Sequence, residues 1–281
     1  MTVRPELTVV GAINLDLTAR VRRAPERGET VADGILTRQS GGKGANQAAA
    51  AARLGARVRL IGAIGDDPDG IELRRALDSA GVDTTQVQVV EAATGTALIV
   101  IDATGENSIV VCPGANLQID VRRMTVDPHA PVISQLEVPI DVVAHVATQT
   151  DGFFVLNPSP ARALPSALAQ RVDLFIVNEG EYAQLPEVHA APLVALTLGA
   201  DGAVLYRDGT EIARARATAA RVTNTVGAGD AFAAALTLGL IRGDEPAVAL
   251  QRACAVGAAA VADDRSQPDF LPLTDYPGAP R

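Results

Sequence analysis

Asn224 to Phe232 reads N-T-V-G-A-G-D-A-F, two glycines and one carboxylate followed at once by an apolar run to Ile241. Gly227, Ala228 and Gly229 have the composition of a tight turn that opens a helix. The first amides of a helix lack internal partners, and the aligned peptide dipoles gather partial positive charge there. Small residues let an anion come close to that backbone. Asp230 then falls in the first turn, beside the anion pocket. A carboxylate there is a poor anion binder, but it can accept a proton from an attacking hydroxyl while the amides stabilise charge on a moving phosphoryl group. Each part alone also has a plainer use, since an Asp at a helix start caps and a glycine pair turns.

Three other clusters carry chemistry. Asn14 and Asp16 stand two apart after the apolar run Leu7–Ile13, so on extended backbone they point to one side. Gly41-Gly42-Lys43-Gly44-Ala45-Asn46-Gln47 is a second glycine-rich helix start. It is not a P-loop, because Lys43 is followed by Gly44 and the glycine spacing is wrong. Asn46 offers donor and acceptor together, which suits a sugar hydroxyl better than a phosphate. Asn178 and Glu181 are three apart and share a face of a helical turn. That pair suits water-mediated Mg²⁺ near phosphates, and equally suits a capping box. Glu137 ends another apolar run, ahead of Val138-Pro139.

The elements that must position these residues alternate between strand and helix. Leu7–Ile13, Val58–Ile64, Pro131–Leu136, Gly152–Asn157, Val172–Val177 and Leu193–Leu198 read as strands, mostly continuous apolar runs of the kind buried in a parallel sheet. Lys43 to Leu54, Ile71 to Ala80, Ala231 to Ile241 and Pro246 to Ala262 read as helices, the first closed by Gly55. This predicts an α/β sheet whose ligands sit at the carboxyl ends of its strands. Two segments break the rhythm. Residues 15–40 are mixed and polar, and residues 93–113 hold two β-rich runs joined by A-T-G-E. Together they predict a small separate sheet over the site, a lid that excludes water. The small side chains of 246–262 suit close helix packing or a slot for an aromatic base.

Composition narrows the classes. The chain has 281 residues, 48% hydrophobic, with a net charge of −9. It is long enough for a sizeable core, and its acidity argues against a nucleic-acid or anionic-membrane partner. Two cysteines, Cys112 and Cys254, are not a disulfide framework, and the N-terminus has no secretory apolar region, so a cytoplasmic location is expected. No apolar run reaches the ~18 residues of a membrane span. His129, His145 and His189 lack metal-ligand spacing.

Taken together, G-G-K-G-A-N-Q-A at 41–48, T-V-G-A-G-D-A-F at 225–232 and N-x-x-E at 178–181 resemble the ribokinase-type sugar kinases of the PfkB family. N-L-D at 14–16, Q-L-E-V-P at 135–139, L-N-P-S-P-A-R at 156–162 and T-L-G-A-D-G at 197–202 extend the likeness along nearly the whole chain. The resemblance implies a three-layer α/β/α sandwich with a small β-sheet lid, formed as one kinase domain over 1–281. It implies MgATP-dependent phosphorylation of a primary hydroxyl, with D-ribose to D-ribose 5-phosphate as the leading reaction. A kinase of fructose, 2-keto-3-deoxygluconate or a nucleoside is the alternative within the family, and a non-catalytic sugar-binding regulatory protein on the same fold is the alternative of a different class. Asp230 matches the family's base, and Gly227, Ala228 and Gly229 its anion hole. Asn14, Asp16, Gly42, Lys43, Asn46 and Glu137 match sugar contacts. Asn178, Glu181, Thr197, Gly199, Gly202 and Cys254 fall on the nucleotide side, with Glu181 and Asn224 at metal positions. A homodimer through the lid is a further implication.

The chain departs from the pattern in three places. Asn224 stands where the family usually carries Asp, in a loop that binds a monovalent cation, which weakens the expectation of K⁺ activation. The partner loop Asp263-Asp264-Arg265-Ser266 lacks the expected glycine, and Arg265 offers a fixed positive charge in place of the ion. Only 18 residues lie between Asn178 and Thr197, which trims the nucleotide side.

Overall fold

A computed structural model describes residues 4–278. In chain order the first half is built from β1 (Glu6–Val10), β2 (Asn14–Arg20), β3 (Ile35–Gly41), α1 (Lys43–Arg53), β4 (Arg57–Gly65), α2 (Pro68–Ser79), β5 (Val82–Val90), β6 (Gly95–Ile101) and β7 (Asn107–Cys112). The second half adds β8 (Val132–Gln135), α3 (Ile140–Gln149), β9 (Phe154–Asn157), α4 (Ser166–Arg171), β10 (Leu174–Asn178), α5 (Glu179–Gln184), β11 (Leu193–Thr197), β12 (Ala203–Arg207), β13 (Thr210–Ala215), α6 (Ala228–Ile241) and α7 (Pro246–Val261).

Nine strands form one sheet in the order β13-β12-β11-β10-β9-β8-β1-β4-β5. Neighbours from β5 to β11 run parallel, and β12 and β13 close one edge as an antiparallel hairpin. The parallel strands are apolar on both faces because helices cover both. On one face α1, α2, α6 and α7 pack over Val9, Leu60, Ile133 and Leu205. On the other α3, α4 and α5 pack over Val10, Ile61, Phe154 and Phe175. The expected three-layer α/β/α sandwich is thus the observed one. The alanines of α6 and α7 serve close packing: a Cβ on Gly239 would lie 2.9 Å from the Ala249 methyl.

The second sheet has four strands in the order β3-β2-β6-β7, with β2 and β6 parallel and both outer pairs antiparallel. Here the structure corrects the first strand read from the sequence. The run Leu7–Ile13 is buried throughout, yet the strand ends at Val10. Gly11 to Ile13 is the step between sheets, pinned where Gly11 N–H donates to the Ile61 carbonyl (3.1 Å) and Ile13 N–H to Asn116 Oδ1 (2.9 Å). Asn14 and Asp16 therefore stand on the first strand of the small sheet, two apart on one face, and not on a loop beyond the large one.

Candidate active site

Two helix starts converge above the carboxyl ends of β1 and β8. Gly42 precedes α1 with φ +85°, where any Cβ would lie 2.7 Å from the Ala12 carbonyl oxygen. Gly227 precedes α6 in the left-handed region at φ +81°, where a Cβ would lie 2.2 Å from the Ser266 carbonyl oxygen. Only glycine fits either place without strain. The N–H groups of Gly229 and Asp230 find no acceptor among the described residues, and nothing lies within 4 Å of the Cβ position of Gly229. Free amides at the positive end of a 14-residue helix, facing open space, make an anion site.

Asp230 is 6% exposed and points from α6 toward α1. Its Oδ2 accepts from Asn46 Nδ2 at 3.0 Å and its Oδ1 from Gln47 Nε2 at 3.1 Å. Asn46 Oδ1 in turn accepts from Gln267 Nε2 at 3.0 Å. The donor and acceptor of Asn46 are thus already engaged by the protein, and one Nδ2 proton is left for a substrate.

Around Asp230 stand three further charged groups. The Asp16 carboxylate has no hydrogen-bond partner among the described residues. Burial, then the nearby charges of Glu137 and Asp230, push its pKa from 3.8 to about 7. Burial also raises Glu137, with Asp230 adding, while the Lys43 N–H (2.8 Å to Glu137 Oε2) and the Lys43 charge oppose the rise. For Lys43 burial works against the charge, but Asp230, Glu137 and Glu181 together hold its pKa above the ordinary value. Asn14 is oriented by a residue that the sequence reading passed over: Asn116, 1% exposed, donates Nδ2 to Asn14 Oδ1 at 2.8 Å.

The residues expected on the nucleotide side lie along the carboxyl ends of β10 and β11, apart from Cys254 on α7. Asn178 and Glu181 form a reciprocal capping box on α5, Glu181 N–H to Asn178 Oδ1 at 2.8 Å and Asn178 N–H to Glu181 Oε2 at 3.0 Å. Glu181 Oε1 keeps no protein partner, so the pair still fits a water-mediated cation. Thr197 Oγ1 donates to the Val177 carbonyl at 3.3 Å, Gly199 and Gly202 turn with positive φ, and Cys254 is buried on α7, its thiol pushed up to about 11 by burial. Among the described residues no three His, Cys, Asp or Glu side chains gather as a metal site.

At the expected monovalent-cation loop the side chains do not fit an ion. Asn224 Nδ2 donates to the Asp264 carbonyl at 3.1 Å, and its Oδ1 accepts from Val226 N–H at 3.0 Å. Arg265 does not supply the substitute charge either. Its guanidinium is paired with Asp263 (2.8 Å) and Asp269 (3.0 Å). The small sheet is tied to this same loop: Gln39 on β3 donates to the Asp264 carbonyl (3.2 Å) and accepts from Ser266 N–H and Oγ (3.0 Å each). The cleft between them is lined by Asp16, Thr18, Gln39, Asn224, Val226 and Ser266.

A carboxylate at a glycine-opened helix start, free amides and a neighbouring group of hydroxyl-binding side chains define a phosphotransferase with an alcohol acceptor. The chain belongs to the pfkB family of carbohydrate kinases, whose model matches residues 4–272. It is 35% identical over 262 residues to a ribokinase of Bacillus subtilis, covering 87% of this chain and 89% of that one. A ribokinase of Haemophilus influenzae is 34% identical over 256 residues, covering 82% and 83%. The solved structure of an Arabidopsis thaliana ribokinase complexed with ribose and ATP superposes with a TM-score of 0.85 at 28% identity, covering 97% of each chain.

Proposed function

We propose that the protein phosphorylates the primary hydroxyl of a small sugar with MgATP, D-ribose giving D-ribose 5-phosphate. The observation that carries this reading is the place of Asp230, in the first turn of α6 beside the unpartnered Gly229 amide and facing α1 and β2. The sugar lies between Asn14, Asp16, the Gly42–Lys43 backbone, Asn46 and Glu137. Asp16 and Glu137 accept hydrogen bonds from its hydroxyls, and Asn46 donates one through its remaining amide proton. The 5-hydroxyl oxygen attacks the γ-phosphorus, its proton passes to Asp230, and the bond from that phosphorus to the β,γ-bridging oxygen breaks to release ADP. The free amides of Gly229 and Asp230 and the Lys43 ammonium face the charge that develops on the transferred group, while the Ala228 amide is engaged by the Thr225 carbonyl at 3.4 Å.

The nucleotide lies along Asn178, Thr197, Gly199 and Gly202, against Cys254. Glu181 would hold Mg²⁺ through water, and the ion would neutralise phosphate charge there. Residues 15–40 and 93–113 form a lid that excludes water. The exposed Ile35, Leu36, Ile109, Val110 and Val111 of the small sheet suit pairing with a second copy. Sedimentation should therefore give a dimer. The free cysteines and the acidic surface fit a cytoplasmic enzyme with no nucleic-acid partner. With aromatics at 3%, few rings are available to stack on a nucleobase acceptor.

The test is ADP release against a panel of ribose, 2-deoxyribose, fructose, 2-keto-3-deoxygluconate and adenosine. Ribose should show the highest kcat/KM. Asp230→Asn should lose about 10²–10⁴-fold in kcat and keep its ribose affinity. Full activity in that variant excludes Asp230 as the base, and preference for adenosine excludes the sugar assignment.

A further inference from the structure

We propose that Gln47 and Gln135 are positioning residues, a one-way chain of amide hydrogen bonds that holds Asp230 in orientation from the floor of the large sheet. The proposal rests on the reading of Asp230 as the base. Gln135 Nε2 donates to Gln47 Oε1, and Gln47 Nε2 donates to Asp230 Oδ1 at 3.1 Å. Both glutamines are fully buried. Neither touches the open cleft, so neither is placed to bind sugar or nucleotide.

The direction of the chain follows from chemistry. An ionised carboxylate only accepts, so Gln47 must turn its nitrogen toward Asp230. Asn157 on β9 fixes the same choice: its Nδ2 donates to the Ile176 carbonyl at 2.8 Å, which leaves its Oδ1 to face Gln47 Nε2 at 3.4 Å. Gln47 Oε1 then faces backward and needs a donor, and Gln135 must supply its nitrogen. Gln135 Oε1 is thereby sent to the far end, where it is buried without a hydrogen-bond partner. It rests over Gly11, at whose Cβ position it would stand 2.0 Å away. Fold stability alone gives no reason to bury an unpaired carbonyl at the centre of a sheet. The polarity set at Gln47 by Asp230 and Asn157 together does, because turning Gln135 over would set two oxygens against each other.

The charged groups facing Asp230 are Lys43 from α1, Asp16 from β2 and Glu137 after β8. All three are unchanged in variants of the glutamines, so a difference from wild type reads the amide chain. Gln47→Leu removes the donor at nearly constant volume. It should lower kcat roughly tenfold to hundredfold, leave the ribose KM within about threefold, and move the acidic limb of kcat/KM about one pH unit upward. Gln47→Glu sets a carboxylate against Asp230 and should move that limb further. Gln135→Met releases Gln47 without touching Asp230 and should move it in the same direction by less.

An acidic limb that stays in place in Gln47→Leu, with thermal unfolding like the wild type, overturns the proposal. If Gln47→Leu does not fold, an unmoved limb in Gln135→Met overturns it. A raised ribose KM at constant kcat also overturns it, since that is the mark of a lost sugar contact. Asp230→Asn separates the two readings. If it keeps full turnover, the base assignment fails and takes the chain with it. If it is inactive while the glutamine variants keep the wild-type profile, the base stands and the relay alone falls.

Discussion

Asn46 Nδ2 donates to Asp230 Oδ2 at 3.0 Å, so the first turn of α1 and the first turn of α6 meet at one carboxylate. The two glycine-rich motifs, 184 residues apart at this contact, are one site because of it. Asn46→Ala should therefore affect both sides of the reaction. Loss of a hydrogen bond to a charged group costs about 1.5–3 kcal/mol, and kcat should fall roughly tenfold to hundredfold. The ribose KM should rise in the same variant, because the remaining amide proton is lost too. Steady-state kinetics with ribose varied at saturating ATP separates the two effects. A change confined to KM would make Asn46 a sugar contact alone.

Asp16 gives a prediction with a sign. Its folded-state pKa of about 7 lies above the 3.8 of an ordinary aspartate. Between those values the folded chain binds more protons than the unfolded chain, so the contribution of this group to stability is full below the lower value and is lost as pH rises through the upper one. Asp16→Asn removes that slope. Denaturant unfolding of the sugar-free protein should show the variant gaining on wild type, by on the order of 1–3 kcal/mol, between about pH 5 and about pH 8. Ribose affinity should fall at both pH values. An equal stability difference at the two would show that Asp16 is not held protonated by its surroundings.

Much of the fold was legible because parallel strands buried on both faces leave long apolar runs, and six of the large sheet's strands were read that way. What was not legible was the sheet to which a strand belongs. Leu7 to Ile13 is apolar without a break, and the crossing at Gly11 is set by Ile61 and Asn116, partners far away in sequence. The short helices α4 and α5 carry too few turns for periodicity to show. In the site, glycines next to polar residues marked both helix starts. Gln47 and Gln135 stood inside quoted motifs without a role, because a buried amide has meaning only through what it faces. Gln267 and Asn116 sit in segments with no pattern.

Asn224 leads to a prediction about ions. Its amide already joins the 222–227 and 263–266 loops through the Asp264 carbonyl, the tie that a shared cation would otherwise make. Turnover should be equal in K⁺ and Na⁺ at constant ionic strength. Asn224→Asp removes one of the two donors to the Asp264 carbonyl, Gln39 being the other, and adds a charge, so the variant should be slower in Na⁺ and recover in K⁺. Strong K⁺ activation of the wild type would mean that backbone carbonyls alone hold the ion.

Gln39 couples the small sheet to the same loop. It donates to the Asp264 carbonyl and accepts twice from Ser266, whose carbonyl oxygen lies against Gly227 at the start of α6. If the small sheet is the proposed lid, closing it over the sugar would steady the anion site in the same movement. Gln39→Ala breaks three hydrogen bonds but removes no group that faces the transferred phosphoryl. The ribose KM should rise by roughly tenfold, while kcat at saturating ribose changes by less than about threefold. ATP hydrolysis without sugar should rise relative to sugar phosphorylation, because water is less well excluded from an open site. Phosphorylation and phosphate release, measured side by side in the same preparation, give both numbers. Unchanged KM and unchanged hydrolysis would mean that the small sheet closes without this tie and that the pair of loops holds the anion site by Asn224 alone.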